Sequence, residues 1–365
     1  MDCPPGRPAQ WEGPLTELER VESNDPHDVV AFLEAHGLAG EPATQRGEVG
    51  VAVLLGARGC AQLGGLSQGQ PSPAVAPECV AIAYRRGGVP AVPGGAAVGE
   101  WSCSWTDDEH AAAVERVRQA IARGDVYQAN VVGHRSAPYT GDPAALAAAV
   151  MALPGAWYGG AVSGSGWTVA AASPEQLVRV EGDRVTTVPI KGTSAERDRL
   201  RASGKELAEH VMIVDLERND LARVTVAGSV EVEELYALSD WAGLWHAQSR
   251  VAGVLAAGAG TGDILRAMLP GGSVTGAPKH AACTLLAEVE PVGRGPAMGA
   301  LGFVWAGGLD LGLTIRTIAA TEGRIHLWAG GGITWGSDPG TEVAEAHAKA
   351  APVQQALAQV RPSSS

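Results

Sequence analysis

Apolar residues along this chain fall into short continuous runs and helical stripes. VGVAVLLG (49–56) and VAIAY (80–84) have strand length and sit among Gly- and Pro-rich segments, which predicts short buried strands. Gly64–Pro77 and Gly87–Gly99 read as loops. A helix is predicted from Thr106. Thr106 and Glu109 form a capping box, Val114, Val117 and Ile121 supply the apolar stripe, and Gly124 suits the C-terminal cap. A second helix starts at Asp142-Pro143 and stops before Pro154. Strands then follow closely: Trp157–Val162, Trp167–Ala172, Leu177–Val180 and Arg184–Pro189. Helical periodicity runs from Ser194 to Leu221 and returns at Pro278–Val289 and Thr341–Val360, with strands at Gly299–Trp305, Leu311–Ile318 and Arg324–Trp328 between these last two. The tail from Pro362 onward should fray. Strands cluster and helices cluster without regular βα alternation, which predicts an α+β fold with antiparallel sheet. No internal repeat is visible.

The 365 residues suffice for one large or two ordinary domains, and 45% hydrophobic content supports a sizeable core. Gly (49) and Pro (23) are high and Phe (2) is low, a skew of the kind codon bias produces. The formal net charge is −13, with no block of Lys or Arg, so a nucleic-acid partner is not expected. An anionic substrate would need local basic groups against that field. The five cysteines show neither CxxC pairing nor zinc spacing, which suggests reduced thiols. The N-terminus lacks the apolar stretch of a signal peptide, and no run is long enough to span a bilayer. A cytoplasmic protein is expected.

The chemistry centres on VPIKGTSAERD (188–198). Lys191 stands where an apolar run meets a Gly-Thr turn. Exposure is the default for lysine, but burial would lower the pKa and leave a neutral amine, which is a carbon nucleophile. LPGGSVTGAPK (269–279) is glycine-rich, yet Ala277-Pro278 after Gly276 excludes a Walker A loop. Its backbone amides could hold a carboxylate. Glu342 and Glu345 lie three apart on one helical face, with Lys349 a turn later. By spacing alone this is a solvated face; the alternative is a pair of oxygen ligands for Mg²⁺. Glu209-His210 sits within another helix. His246 lies in apolar company, where a hydrogen-bonded core histidine is the default. Arg316 interrupts a strand and, if buried, needs an anionic partner. DLERNDL (215–221) reads as structural, its charges falling at helical spacings.

Taken in order, GDVYQAN (124–130), ASPEQL (172–177), PIKGT (189–193), GKELAEHVMIVDLERNDLARV (204–224), LWHAQSRV (244–251), LPGGSVTGAPK (269–279), GALGF (299–303), IRTI (315–318), AGGGITWGSDP (329–339) and EVAEAHAKA (342–350) resemble the chorismate-utilising enzymes. Within them the chain is most similar to component I of aminodeoxychorismate synthase. The resemblance implies two packed antiparallel β-sheets flanked by helices. It also implies a chorismate-binding domain over 105–360, with a short N-terminal region, 1–104, packed on it as one structural unit.

Carried over by position, the resemblance implies Mg²⁺ held by Glu209, Glu342 and Glu345, and substrate contacts from Gly192, Ser273, Thr275, Arg316, Gly330, Gly331 and Lys349. Glu175 would be the general acid at the departing C4 hydroxyl, a role that needs a raised pKa. His246 and Thr193 join the catalytic set. Gln128 stands where water-adding relatives carry a lysine base, which disfavours isochorismate and salicylate. Lys191 replaces the alanine of anthranilate synthases and would attack C2. Ammonia is expected from a separate glutamine amidotransferase subunit, because no glutaminase signature is present. An anthranilate or 2-amino-2-deoxyisochorismate synthase is the alternative, and a weakly active chorismate-binding paralogue is another. Ala297 replaces the family's usual tyrosine, which removes one substrate contact. No LLES segment is present, so feedback by tryptophan is not expected.

Overall fold

The structure, a computed structural model, describes residues 14–36, 48–88, 92–202, 204–241 and 244–362. In chain order the elements are β1 (Leu15–Ser23), α1 (Pro26–Ala35), β2 (Glu48–Leu55), α2 (Ala57–Leu63), β3 (Cys79–Arg86), β4 (Ala96–Val98), β5 (Ser102–Cys103), α3 (Asp107–Arg123), β6 (Gln128–Gly141), α4 (Pro143–Met151), β7 (Gly160–Gly164), β8 (Trp167–Ala171), β9 (Gln176–Glu181), β10 (Arg184–Val188) and β11 (Ile190–Ser194). They continue with α5 (Arg197–Ala202), α6 (Gly204–Ala222), β12 (Glu231–Trp241), β13 (Leu244–Val254), α7 (Thr261–Met268), β14 (Gly276–Ala277), α8 (Lys279–Val289), β15 (Ala300–Trp305), β16 (Gly308–Leu313), β17 (Thr317–Thr321), β18 (Arg324–Ile333) and α9 (Pro339–Ala358).

One sheet runs β1-β3-β2-β15-β16-β9-β10-β13-β11, with β12 also on β13. The other runs β14-β6-β18-β17-β8-β7, with β4 and β5 on β6. The pairings are antiparallel, as the clustering of strands predicted. The N-terminal strands belong to the first sheet directly, since β2 pairs with β15 in the register Leu54↔Leu301. The main core lies between the sheets. Val53, Leu55, Val178 and Leu311 meet Val169, Ala319 and Trp328 there. A second core joins the other sheet to α4 and α9, and a third joins it to α3 and α8. Among the described residues no helix is long and apolar enough to cross a membrane.

The capping box at Thr106 and the left-handed Gly124 cap form as the sequence predicts, and Asp142 caps α4. Several expectations are corrected. The segment 194–221 is not helical from its start: Ser194 ends β11, and helix begins only at Arg197 with α5, followed by α6 from Gly204. The segment 311–318 is not one strand either. β16 and β17 belong to different sheets, and the chain crosses between them at Arg316, whose φ is +50°. The strand expected at Trp157 begins only at Gly160. The sequence reading missed β6 because its first ten residues are buried on both faces, so polar and apolar positions do not alternate. It also missed β1, α1, β12, β13 and α7. Cys3 and the tail after Pro362 lie outside the described residues.

Candidate active site

The site begins with an irregularity in β11. Along β13, Lys191 stands opposite Ala247 and Thr193 opposite His246, so Gly192 is an extra residue in the ladder. Gly192 has φ +80°, and a Cβ there would fall 2.7 Å from Leu200 Cδ1. Only glycine makes this bulge without strain, and the bulge sets the aim of its neighbours. Thr193 Oγ1 and His246 Nδ1 lie 3.0 Å apart, with His246 buried. Lys191 Nζ donates to the carbonyl of Ser273 at 3.0 Å, across to the short helical turn Gly272–Val274. Burial pushes the Lys191 pKa down; the charge of Glu175 opposes that shift and the charge of Lys349 adds to it.

Glu175 is the acid of the group. It is buried, and burial raises its pKa, against the opposing charge of Lys191. The Ile190 N–H approaches its Oε1 at 3.5 Å. The buried Ser273 hydroxyl lies near enough to favour the carboxylate, although it makes no hydrogen bond of good geometry. Amine and acid therefore shift towards their neutral forms together, which is the arrangement for a nucleophile beside a proton donor.

Above Gly331 a second cluster forms. A Cβ on Gly331 would lie 3.3 Å from Glu342 Oε2, 3.4 Å from Lys349 Nζ and 3.7 Å from Glu345 Oε1. The missing side chain is what leaves room for these three groups. Lys349 pairs with Glu345 at 2.6 Å and donates to the Gly330 carbonyl at 3.0 Å. Glu209, on α6, lies on the Lys191 side, where its charge opposes the fall in the lysine pKa. Hard carboxylate oxygens suit Mg²⁺, but the Lys349 ammonium lies at the same glycine and pairs with Glu345. Among the described residues no three acidic, His or Cys side chains gather closely enough to hold a metal. The donor chemistry thus fits the ion, while the three-carboxylate set is not brought together.

The remaining expected residues are spread around this centre. Gln128 is buried at the start of β6, and its Nε2 occupies the space a Cβ on Gly332 would fill. Arg316 stands at the sheet crossing; burial lowers its pKa, and its described hydrogen bond goes to the Pro154 carbonyl at 3.3 Å. Among the described residues no carboxylate pairs with it, so it is a desolvated cation suited to an anionic ligand. Thr275 turns its hydroxyl onto Gly271 O at 2.8 Å, so its described bond is structural. The amides of the glycine-rich turn are also engaged: Val274 N donates to Gly271 O and Thr275 N to Gly272 O. The turn also presents a carbonyl, that of Ser273, to the Lys191 amine. Ala297 is buried in the main core. Trp335 is 62% exposed under the Arg118 guanidinium, away from Ala297.

Sequence reasoning passed over a buried ionic group behind the site. Glu217 and Asp220 are both buried, and Lys279 Nζ pairs with Asp220. Their i, i+3 spacing on α6 was read as a structural pattern, and Asp215–Arg218 does form a surface pair of that kind at 3.3 Å. What marks the inward pair is its helical spacing from the buried Ile213: Glu217 stands one turn beyond it and Asp220 two.

Residues 75–355 match the chorismate binding enzyme family. Anthranilate synthase component 1 of Streptomyces coelicolor is 41% identical over 258 residues, which are 67% of this chain and 50% of that protein. Aminodeoxychorismate synthase component 1 of Bacillus subtilis is 36% identical over 270 residues, 71% of this chain and 57% of that one. The chain spans about half the length of the curated relatives it matches. Among solved structures, anthranilate synthase component I from Streptococcus pneumoniae superposes with a TM-score of 0.80 at 25% identity, covering 93% of this chain and 91% of that one.

Proposed function

The chain belongs to the chorismate binding enzyme family, and we propose that within it the protein is component I of an aminodeoxychorismate synthase, making 4-amino-4-deoxychorismate. The observation that carries this reading is Lys191: a lysine whose amine is drawn towards neutrality by burial, held at 3.0 Å by the Ser273 carbonyl beside the buried acid Glu175. A bystander lysine has no reason to be desolvated next to a carboxyl group that is itself shifted towards its protonated form.

In this reading Lys191 Nζ attacks C2 of chorismate, both conjugated ring double bonds shift, and the C4–O bond breaks. Glu175 gives its proton to the departing hydroxyl, which leaves as water. Ammonia then attacks C4, both double bonds shift back, and the C2–N bond breaks to release Lys191. Two allylic substitutions replace one difficult one. Arg316 and Lys349 supply positive charge for the substrate carboxylates. Of the three expected carboxylates, Glu342 and Glu345 face the space at Gly331 and would supply oxygens to Mg²⁺, which when bound supplies positive charge against a carboxylate in an otherwise acidic protein. Ammonia would come from a separate glutamine amidotransferase.

A second reading is anthranilate synthase component I, favoured by the 41% identity to the Streptomyces coelicolor protein. There Lys191 would take no part. Chorismate, ammonium and Mg²⁺ incubated with the protein, with the product identified by mass and absorbance, separate the two. 4-Amino-4-deoxychorismate supports the proposal, and anthranilate overturns it.

A further inference from the structure

Behind the Ser273 carbonyl lies a carboxyl group that the reaction above does not use. Glu217 projects from α6 and is only 3% exposed. Thr187 Oγ1 on β10 approaches its Oε2 at 3.5 Å. The Gly272 N–H lies near enough to this carboxyl to favour its charged form. Gly272 itself is packed against the helix. A Cβ there would lie 2.5 Å from Leu216 Cδ2 and 3.2 Å from Glu217 Oε1. The turn carrying Ser273 is thus seated on α6 through one glycine and one acid. The groups facing that acid are Asp220, Lys279 and Glu175. Lys279 pairs with Asp220 in a contact of 13% and 9% exposed side chains. Its charge is therefore already engaged, and Glu217 has no cation of its own among the described residues.

We propose that Glu217 is a positioning residue for the reaction: its carboxyl fastens the Gly272–Val274 turn to α6, and so holds the Ser273 carbonyl where it receives the Lys191 amine. The inference rests on the reading of Lys191 as the nucleophile. A neutral amine needs its lone pair aimed at the carbon, and a hydrogen bond to Ser273 O fixes one of its N–H bonds and hence that aim. The carboxyl acts in its uncharged form: burial, with the charge of Asp220 next, pushes its pKa up to about 8. A protonated carboxyl both accepts the Gly272 amide and adds no second negative charge beside Glu175.

Two substitutions test this. Glu217→Gln keeps the shape and the acceptor, while Glu217→Leu keeps the volume and removes the acceptor. Both are assayed for chorismate consumption, with folding checked by circular dichroism and melting. The expected result is a fall in kcat of about tenfold in Glu217→Leu, the scale of one lost hydrogen bond. KM for chorismate should stay within about twofold of the parent, and Glu217→Gln should recover most of the lost kcat. Equal kcat in the parent and both variants would overturn the proposal, as would a loss that falls only on KM or is shared equally by Gln and Leu. If Glu217→Leu does not fold, Glu217→Gln is compared with Glu217→Ala by the same criteria. The product of the parent protein is identified in parallel. Anthranilate there defeats the reading of Lys191, whatever the Glu217 variants do, whereas 4-amino-4-deoxychorismate with indifferent Glu217 variants defeats only the positioning role.

Discussion

Lys191 Nζ stands 3.0 Å from the carbonyl oxygen of Ser273, and this bond ties β11 of one sheet to the turn that leads into β14 of the other. The amine therefore sits where the two sheets face each other, beside Glu175. Burial accounts for the direction of both pKa shifts.

The first prediction concerns that amine. Lys191→Ala should lose nearly all C4 amination, while chorismate binding, followed by calorimetry, falls by less than about tenfold, since the lost group acts on the reacting carbon. In the parent protein, denaturation during turnover without ammonia should leave a dehydrated chorismate adduct on Lys191, read by peptide mass. Normal turnover in Lys191→Ala would refute the nucleophile assignment.

Gly192→Ala tests the bulge. At φ +80°, with Leu200 Cδ1 2.7 Å from the new Cβ, the substitution should cost about 1–3 kcal/mol of stability. Because the bulge sets the aim of Lys191, kcat should fall more than KM rises. A variant with unaltered melting temperature and kcat would show that the bulge is not needed.

The stability of the protein should carry a signature of Glu217. Its folded pKa of about 8 lies above the usual value of 4.5. Below 4.5 both folded and unfolded chains hold the proton. Between 4.5 and about 8 the unfolded chain ionises and the folded one does not, so this group lowers stability progressively as pH rises; above about 8 the loss is constant. Glu217→Gln removes the effect. The melting temperature of the variant relative to the parent should therefore climb between about pH 5 and pH 8 and then level off. A difference that does not vary with pH would contradict it.

Metal dependence is the fourth prediction. Glu342→Gln and Glu345→Gln should each weaken Mg²⁺ binding, measured by calorimetry on the chelator-treated protein, by about tenfold or more. Lys349→Met removes the ammonium that pairs with Glu345 and should leave the Mg²⁺ site at least as strong. Full activity in excess chelator would rule the ion out.

Supply of nitrogen gives the last. The purified chain should use ammonium and not glutamine, because no nucleophilic cysteine with a glutaminase signature occurs in it. Glutamine-dependent turnover by this chain by itself would contradict the need for a partner subunit.

Local rules settled much of this molecule from its residues alone. The Thr106–Glu109 capping box, the Gly124 cap and the short runs at β2 and β3 depend on neighbours a few positions away. PIKGT, Glu175 and the Glu342–Glu345–Lys349 triplet stood out as candidates because those residues lie in segments whose order resembles a known family. Tertiary structure decided the rest. β6 was hidden because burial on both faces erases the alternation that reveals a strand. The break at Arg316 follows from the chain passing between sheets, which no window of sequence records. The neutral tendency of Lys191 comes from burial between the sheets, its bond reaches the Ser273 carbonyl from 82 residues away, and the place proposed for Glu217 depends on Gly272. A pKa is set by what surrounds a group in space, and only the packing of two sheets brings those surroundings together.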